Sequence, residues 1–252
     1  MALPTRTILL VGRLILLGLG MTGPRRIRSW TALLHDFLWL YPTLARNCQW
    51  HGPVVTHFST EKREVWLTID DGPDPEDTPD MLDLLREHRA KATFFVIGRK
   101  VEEQRALVRQ IASEGHTLGN HTFSHPATLW WAMPRWLARK QINLGNETLV
   151  VATGKKPRWF RSPVGMNNAS IHPAAHAAGQ RVIGWSAAGG DGCPVAPSEV
   201  VRRIMTKVKP GAIILIHEAG RSRRRATTLA RLLEALSAEG YQCVLPEEAS
   251  LR

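Results

Sequence analysis

Apolar residues recur along the chain in two different periods, and from residue 64 onward the two alternate. Short apolar runs predict strands at 65–69, 92–97, 158–160, 181–185, 212–216 and 241–245. Between them, apolar residues at helical spacing predict helices at 78–88, 101–114, 134–151 and 170–178, then after Pro197, and at 226–239. Strands that alternate with helices pair in parallel through right-handed crossovers. The expected fold is therefore α/β, either a (β/α) barrel or an open doubly wound sheet. In both, reactive groups collect at the carboxyl ends of the strands. No internal repeat or low-complexity tract breaks the rhythm.

The first sixty residues follow a different pattern. Residues 7–21 (TILLVGRLILLGLGM) are apolar but carry Arg13 at their centre, and they fall short of the ~20 residues a membrane span needs. They could be a signal-peptide core, although no clear small-residue cleavage site follows. Arg25, Arg26 and Arg28 come after the run and only Arg6 before it. If the run inserted, the positive-inside rule would leave the downstream domain in the cytoplasm. Residues 29–41 (SWTALLHDFLWLY) place Leu33, Leu34, Phe37, Leu38 and Tyr41 on one helical face, with Ser29 as N-cap and Pro42 as the stop. Two readings stay open for this helix: it lies on a membrane, with Trp30 and Trp39 at the headgroup boundary, or it covers the globular core. The expected organisation is an N-terminal extension, 1–60, and a catalytic domain, 61–252.

Length and composition narrow the class. A chain of 252 residues with 44% hydrophobic content suits one sizeable folded domain. Its net charge of +11 and pI of about 10.3 should draw it to anionic surfaces. Six arginines against one acid precede Glu61, so membrane association is the expectation, with the side of the membrane left open. No nucleic-acid motif accompanies the charge. Cys48, Cys193 and Cys243 cannot all pair and have no metal-site spacing. They fit a reducing compartment best, with one disulfide plus one free thiol left open.

Two short motifs carry chemistry. In Thr68-Ile69-Asp70-Asp71-Gly72-Pro73, two adjacent carboxylates stand where an apolar strand runs out into a turn. Ionised groups so close repel, and a bound cation relieves that repulsion. His121 and His125 form an H-x-x-x-H pair, a spacing that can aim two imidazoles at one divalent ion. Two imidazoles and a carboxylate leave coordination positions for water and substrate, as hydrolytic zinc centres do. The second carboxylate would then be free to act as a general base. The donor set leans to one Zn2+, with Co2+ or another divalent ion left open.

Five segments in fixed order extend the pattern: TIDDGPDPEDTPDMLDLL, KATFFVIG, EGHTLGNHTFSH, RSPVG and ILIH. Over residues 65–245 this order resembles the polysaccharide deacetylases, the NodB-homology or carbohydrate esterase 4 family. The resemblance implies a distorted (β/α) barrel that removes an N-acyl group, acetyl by expectation, from an amino-sugar glycan or a lipid-linked amino sugar. It implies Asp71, His121 and His125 as metal ligands and Asp70 as the base. By the same resemblance, Arg161 pairs with and orients that base, and the backbone N–H of Val164, after Pro163, stabilises the oxyanion. His217 resembles the acid that protonates the leaving amine. Asp191 resembles the carboxylate that raises the pKa of that histidine, and Leu215 lines a small acyl pocket. This chain departs from the family in two places. Val164 stands where an aromatic is usual, and the sequence around Asp191 reads Ala188-Gly189-Gly190-Asp191-Gly192 in place of Asp-x-x-Asp-Trp. Trp185 could supply the missing aromatic wall or be core.

Two further segments admit two readings each. Trp130, Trp131 and Trp136, just past His125, could be buried or could form a lip that touches sugar or membrane. The run Arg221-Ser222-Arg223-Arg224-Arg225 could be a solvated lead into a helix or a phosphate contact. The expected partners are an N-acetylated glycan or glycolipid and an anionic membrane surface, and the expected state is a monomer. The rival functions are an O-acetyl esterase using the same site on a glycan such as xylan, and a non-catalytic glycan-binding module.

Overall fold

A computed structural model describes residues 25–219 and 224–252. The apolar run at 7–21 and residues 221–223 of the arginine run lie outside the described residues. The strands are β1 (Glu64–Gly72), β2 (Ala92–Val96), β3 (Thr117–Asn120), β4 (Trp159–Phe160), β5 (Arg181–Val182), β6 (Ala187–Ala188), β7 (Ile213–His217) and β8 (Gln242–Cys243). The helices are α1 (Arg25–Leu44), α2 (Asp77–Glu87), α3 (Gly98–Glu103), α4 (Arg105–Ser113), α5 (Arg135–Thr153), α6 (Ile171–Ala177), α7 (Pro197–Met205) and α8 (Arg225–Ala238).

The sheet order is β5-β4-β3-β2-β1-β7-β6, β8 also pairs with β1, and the pairing throughout is parallel. The sheet curls into a distorted (β/α) barrel surrounded by helices, as the family resemblance implies. Strand periodicity sorts the side chains between two cores. Val65, Leu67 and Ile69 join Leu82, Leu85, Ile214, Ile216 and Leu232 beneath the helices. On the other face, Trp66 packs with Phe95, Trp159 and Ile213 inside the barrel. The same alternation sends Thr68 and Asp70 of β1, and Leu215 and His217 of β7, toward the interior.

Several boundaries differ from the sequence expectation. β1 does not stop at residue 69 but continues through both aspartates to Gly72. β3 is too short and too weakly apolar (TLGN) to show in the hydrophobic pattern. The helix expected at 101–114 breaks at Gln104 (φ −124°, ψ 42°), without disturbing the apolar spacing on either side. The single strand expected at 181–185 ends at Val182, and a second begins at Ala187. α1 runs through Pro42 to Leu44, because a proline in the last turn removes one backbone donor without ending the helix.

Past α1 the chain returns to the barrel. Val55 bridges to Ile183, His57 to Ala212 and Phe58 to Leu251. α1 itself is turned the other way: Thr31, Pro42 and Thr43 are buried, while Leu33, Leu34, Phe37 and Tyr41 are exposed. Burying an apolar side chain contributes roughly 1.5–3 kcal/mol, and the described fold leaves that contribution unused along this face. Among the described residues no helix is long and apolar enough to cross a membrane. All three cysteines are free, and Cys193 is exposed.

Candidate metal and catalytic site

The site begins with an irregularity at the end of β1. The register runs Asp70 against Phe95 and then skips to Gly72 against Val96, so Asp71 is an extra residue in the strand. It adopts φ 75°. A bulge re-aims a side chain that strict alternation would send to the opposite face, and here it brings Asp71 to the same mouth as Asp70. Lys100 of α3 holds the turn by donating to the Asp71 carbonyl at 2.7 Å.

His121 follows directly on β3. Its Nδ1 lies 2.9 Å from the Arg161 carbonyl. A carbonyl can only accept, so this bond makes Nδ1 the donor and leaves Nε2 with its lone pair free for a metal. Residues 121–126 form a loop, not a helical turn, and Thr122 (φ 68°) and His125 (φ 50°) bend it back on itself. The two imidazole centroids are 4.7 Å apart. Asp71 Oδ1 is 3.5 Å from His121 Nε2 and 3.4 Å from His125 Nε2, and Asp70 Oδ2 is 3.8 Å from His121 Nε2.

These residues fit a divalent ion. One ligand atom from each of Asp71, His121 and His125 lies within 4.8 Å of the other two, as the edges of a coordination polyhedron require. Asp71 Oδ1 is buried without a hydrogen-bond partner, a costly state that a cation would relieve. Burial, with His121 beside it, holds the His125 pKa down at about 4, so its ring is neutral near pH 7. Burial pushes the Asp71 carboxyl up, but the facing His121, His125, His217 and Lys100 outweigh that and leave it below the usual range.

Arg161, immediately after β4, is fully buried. Its Nη1 donates to Asp70 Oδ1 and to Thr68 Oγ1, each at 2.7 Å. Nη2 donates to the Gly184 carbonyl at 2.7 Å and Nε to the Ile183 carbonyl at 3.2 Å. The guanidinium stacks 4.2 Å from the Phe95 ring centroid and 5.7 Å from that of Trp185. Asp70 is thereby held beside Asp71 and His121 by a planar guanidinium whose other donors anchor it to Thr68, Ile183 and Gly184, an arrangement a lysine could not reproduce.

Pro163 is buried and leads into a tight turn in which Val164 takes φ 58°. Gly165 and Met166 donate their amides within the turn, to Ser162 and Pro163; the Val164 N–H is not part of those bonds. Gly165 (φ 71°) lies so close beneath Trp185 that a Cβ would overlap the indole. Trp185 is half-buried and packs against the interior core. Leu215 is buried on β7, between Thr68 and Ala188 in register.

His217 ends β7 opposite Asp70 in register. Asp191 binds it twice, accepting from its Nδ1 at 2.9 Å and from its backbone N–H at 2.7 Å. Burial alone would lower the His217 pKa, but the Asp191 hydrogen bond and charge, with Asp70 and Asp71 behind them, raise it. Arg225 is buried and donates to both the carboxylate and the carbonyl of Asp191. It belongs to this site and not to a solvated arginine run, because it is the first residue of α8 and points inward, whereas Arg224 before it is exposed.

Sequence reasoning did not single out four groups at the site: Thr68, Lys100, Glu218 and the structural role of Arg225. Glu218 is fully buried, accepts from Thr78 Oγ1 and donates its own amide to the Asp70 carbonyl at 3.0 Å. Burial pushes its pKa up to about 8. Of the tryptophans past His125, Trp130 is buried and donates to Ser162 at 2.6 Å, Trp131 is half-buried and Trp136 is exposed. The one signal for strain at the site is local. Of the seven described non-glycine residues with positive φ, five (Asp71, Thr122, His125, Val164 and Ala219) border this cleft, and strain of this kind gathers at functional sites.

Residues 58–183 match the family described as polysaccharide deacetylase. A peptidoglycan-N-acetylglucosamine deacetylase of Bacillus cereus is 33% identical over 78% of this chain and 92% of its own length. A chitooligosaccharide deacetylase of a Bradyrhizobium species is 34% identical over 69% and 82%. Among solved structures, the Bc1960 peptidoglycan N-acetylglucosamine deacetylase superposes with a TM-score of 0.70, 32% identity, and coverage of 75% of this chain and 88% of that one. BA3943, a carbohydrate esterase 4 pseudoenzyme from Bacillus anthracis, reaches a TM-score of 0.68 at 29% identity, covering 75% and 65%. Fold, motif order and these likenesses agree: the chain belongs to the polysaccharide deacetylase family.

Proposed function

We propose that this protein is a divalent-metal-dependent hydrolase that removes N-acetyl groups from an amino-sugar glycan. The observation that carries the reading is the convergence of Asp71, His121 and His125 beside a second carboxylate, Asp70, that Arg161 holds in place. The names of the relatives, deacetylases of N-acetylglucosamine glycans, support the substrate class. Asp71, His121 and His125 would hold the ion. When bound, such an ion supplies Lewis acidity, bringing the pKa of a water toward neutrality and polarising the amide carbonyl.

The chain's own groups do the rest. Asp70 accepts a proton from the water whose oxygen bonds to the acyl carbon. The Val164 N–H donates to the oxygen that gains charge, a contribution of about 3–4 kcal/mol when so placed. His217 gives its proton to the amine nitrogen as the C–N bond breaks, and acetate and a free amine leave. Asp191 keeps His217 protonated and oriented, Arg225 holds Asp191, and Leu215 walls the pocket for the acetyl methyl. Trp185 offers a partly exposed indole for a sugar ring.

The test is acetate release after chelation and reloading, on chitooligosaccharides, peptidoglycan and a lipid-linked amino sugar. We expect the chelated protein to be inactive and one equivalent of Zn2+ or Co2+ to restore acetate release on at least one glycan. Full activity after chelation, or none on any N-acetylated glycan with one metal bound, would refute the reading.

A further inference from the structure

The surface around α1 has the wrong polarity for a helix that ends at a water-facing wall. Trp30, Leu33, Leu34, Phe37, Leu40, Tyr41 and Leu44 follow one helical stripe, and all are exposed, Trp30 by 74% and Phe37 by 53%. The residues that α1 turns inward include Thr31 and Thr43. Phe37 stacks on Tyr41 at 5.2 Å, and Tyr41 meets Trp50 edge-on at 5.5 Å, so the stripe is an ordered aromatic surface. A contiguous exposed apolar stripe of this size marks a partner surface.

The stripe is tied to the catalytic mouth. Just past α1, Asn47 donates its amide to the Gly165 carbonyl and its side chain to the Trp185 carbonyl, each at 2.9 Å. Thr43 lines a cavity of about 270 Å3 with Trp131, Met133 and Asn168. That loop exposes Leu129 by 67%, and the first turn of α5 exposes Trp136 by 68%, four and eleven residues beyond His125. Around Trp136, Arg135, Arg139 and Lys140 are also exposed. Along α1 the sequence has Arg25, Arg26 and Arg28 at one end, Arg46 just past the other, and Asp36 as its sole acid.

We infer that α1, with Leu129 and Trp136, forms a docking face for an anionic lipid bilayer, which sets the mouth of the cleft against the headgroups. The exposed apolar and aromatic side chains match the acyl boundary, and the exposed Arg46, Arg135, Arg139 and Lys140 match the phosphates of the headgroups. A second copy of this chain fits less well, because it would bring the +11 charge of one molecule against that of another.

The experiment is co-sedimentation of the full chain with vesicles of phosphatidylcholine containing phosphatidylglycerol, and with phosphatidylcholine alone. It compares the parent with a Leu33→Glu/Phe37→Glu variant. The parent should bind the anionic vesicles, more weakly as salt rises, and the variant should lose about tenfold or more of that affinity. Acetate release from a soluble chitooligosaccharide should be the same for both proteins, which separates this result from any failure of the proposed reaction. Three outcomes overturn the inference: a parent that ignores anionic vesicles, a variant that binds as the parent does, or a parent dimer that the variant dissolves.

Discussion

His217 and Asp191 show how one contact sets a proton's availability. Asp191 accepts both N–H groups that His217 presents on that side, and it reverses the downward push of burial on the imidazole. The proposed acid works only when protonated, so activity should fall as pH rises through the raised His217 pKa. Replacing Asp191 by Asn keeps a hydrogen-bond acceptor but removes the charge, which lowers that pKa. The alkaline limb of the kcat profile of Asp191→Asn should therefore move to lower pH. An unmoved limb would show that His217 is not the group being titrated. His217 was brought forward by the family resemblance of ILIH, in which it closes an apolar strand. Its buried counter-partner Arg225 was not, because a run of arginines reads as solvated until one of them is seen to turn inward.

At the scale of elements, β1 and the start of α2 are joined by a single buried acid. Glu218 accepts from Thr78 in α2, its amide bonds the Asp70 carbonyl, and it leaves no room for a Cβ at Gly72. Its second oxygen has no partner, and burial pushes its pKa up to about 8. The folded state thus holds a proton that the unfolded chain releases above the ordinary glutamate value of 4.5. Stability must then fall as pH rises from 4.5 toward 8, since the unfolded state binds fewer protons there. Glu218→Gln removes that penalty, so its Tm should lie close to the parent's at pH 5 and above it at pH 8. The opposite trend would mean that Glu218 is ionised and paired in the fold. The strands and helices that place this acid were largely legible, because long apolar periods survive small errors of boundary. β3 and the Asp71 bulge were not: the first has too few apolar residues, and the second depends on a register skip that only the neighbouring strand defines.

For the whole molecule, the question is whether a complete site is a working one. The barrel gathers residues from β1, from the loops after β3, β4 and β6, and from β7, which lie up to 147 positions apart between Asp70 and His217. The sequence motifs brought forward Asp70, Asp71, His121, His125, Arg161, Asp191 and His217; the distances between them, the Arg161 bond to Asp70 and the parts of Lys100, Glu218 and Arg225 came only with the fold. Because the same fold serves a pseudoenzyme in Bacillus anthracis, the decisive comparison must separate holding an ion from moving a proton. Zinc titration by calorimetry, paired with acetate release, on Asp70→Asn and Asp71→Asn makes that separation. Asp70→Asn should bind one ion per chain yet lose about 10²–10⁴ in kcat, while Asp71→Asn should lose the ion and the activity together. Parental acetate release by Asp70→Asn, or stoichiometric zinc on Asp71→Asn, would contradict the account.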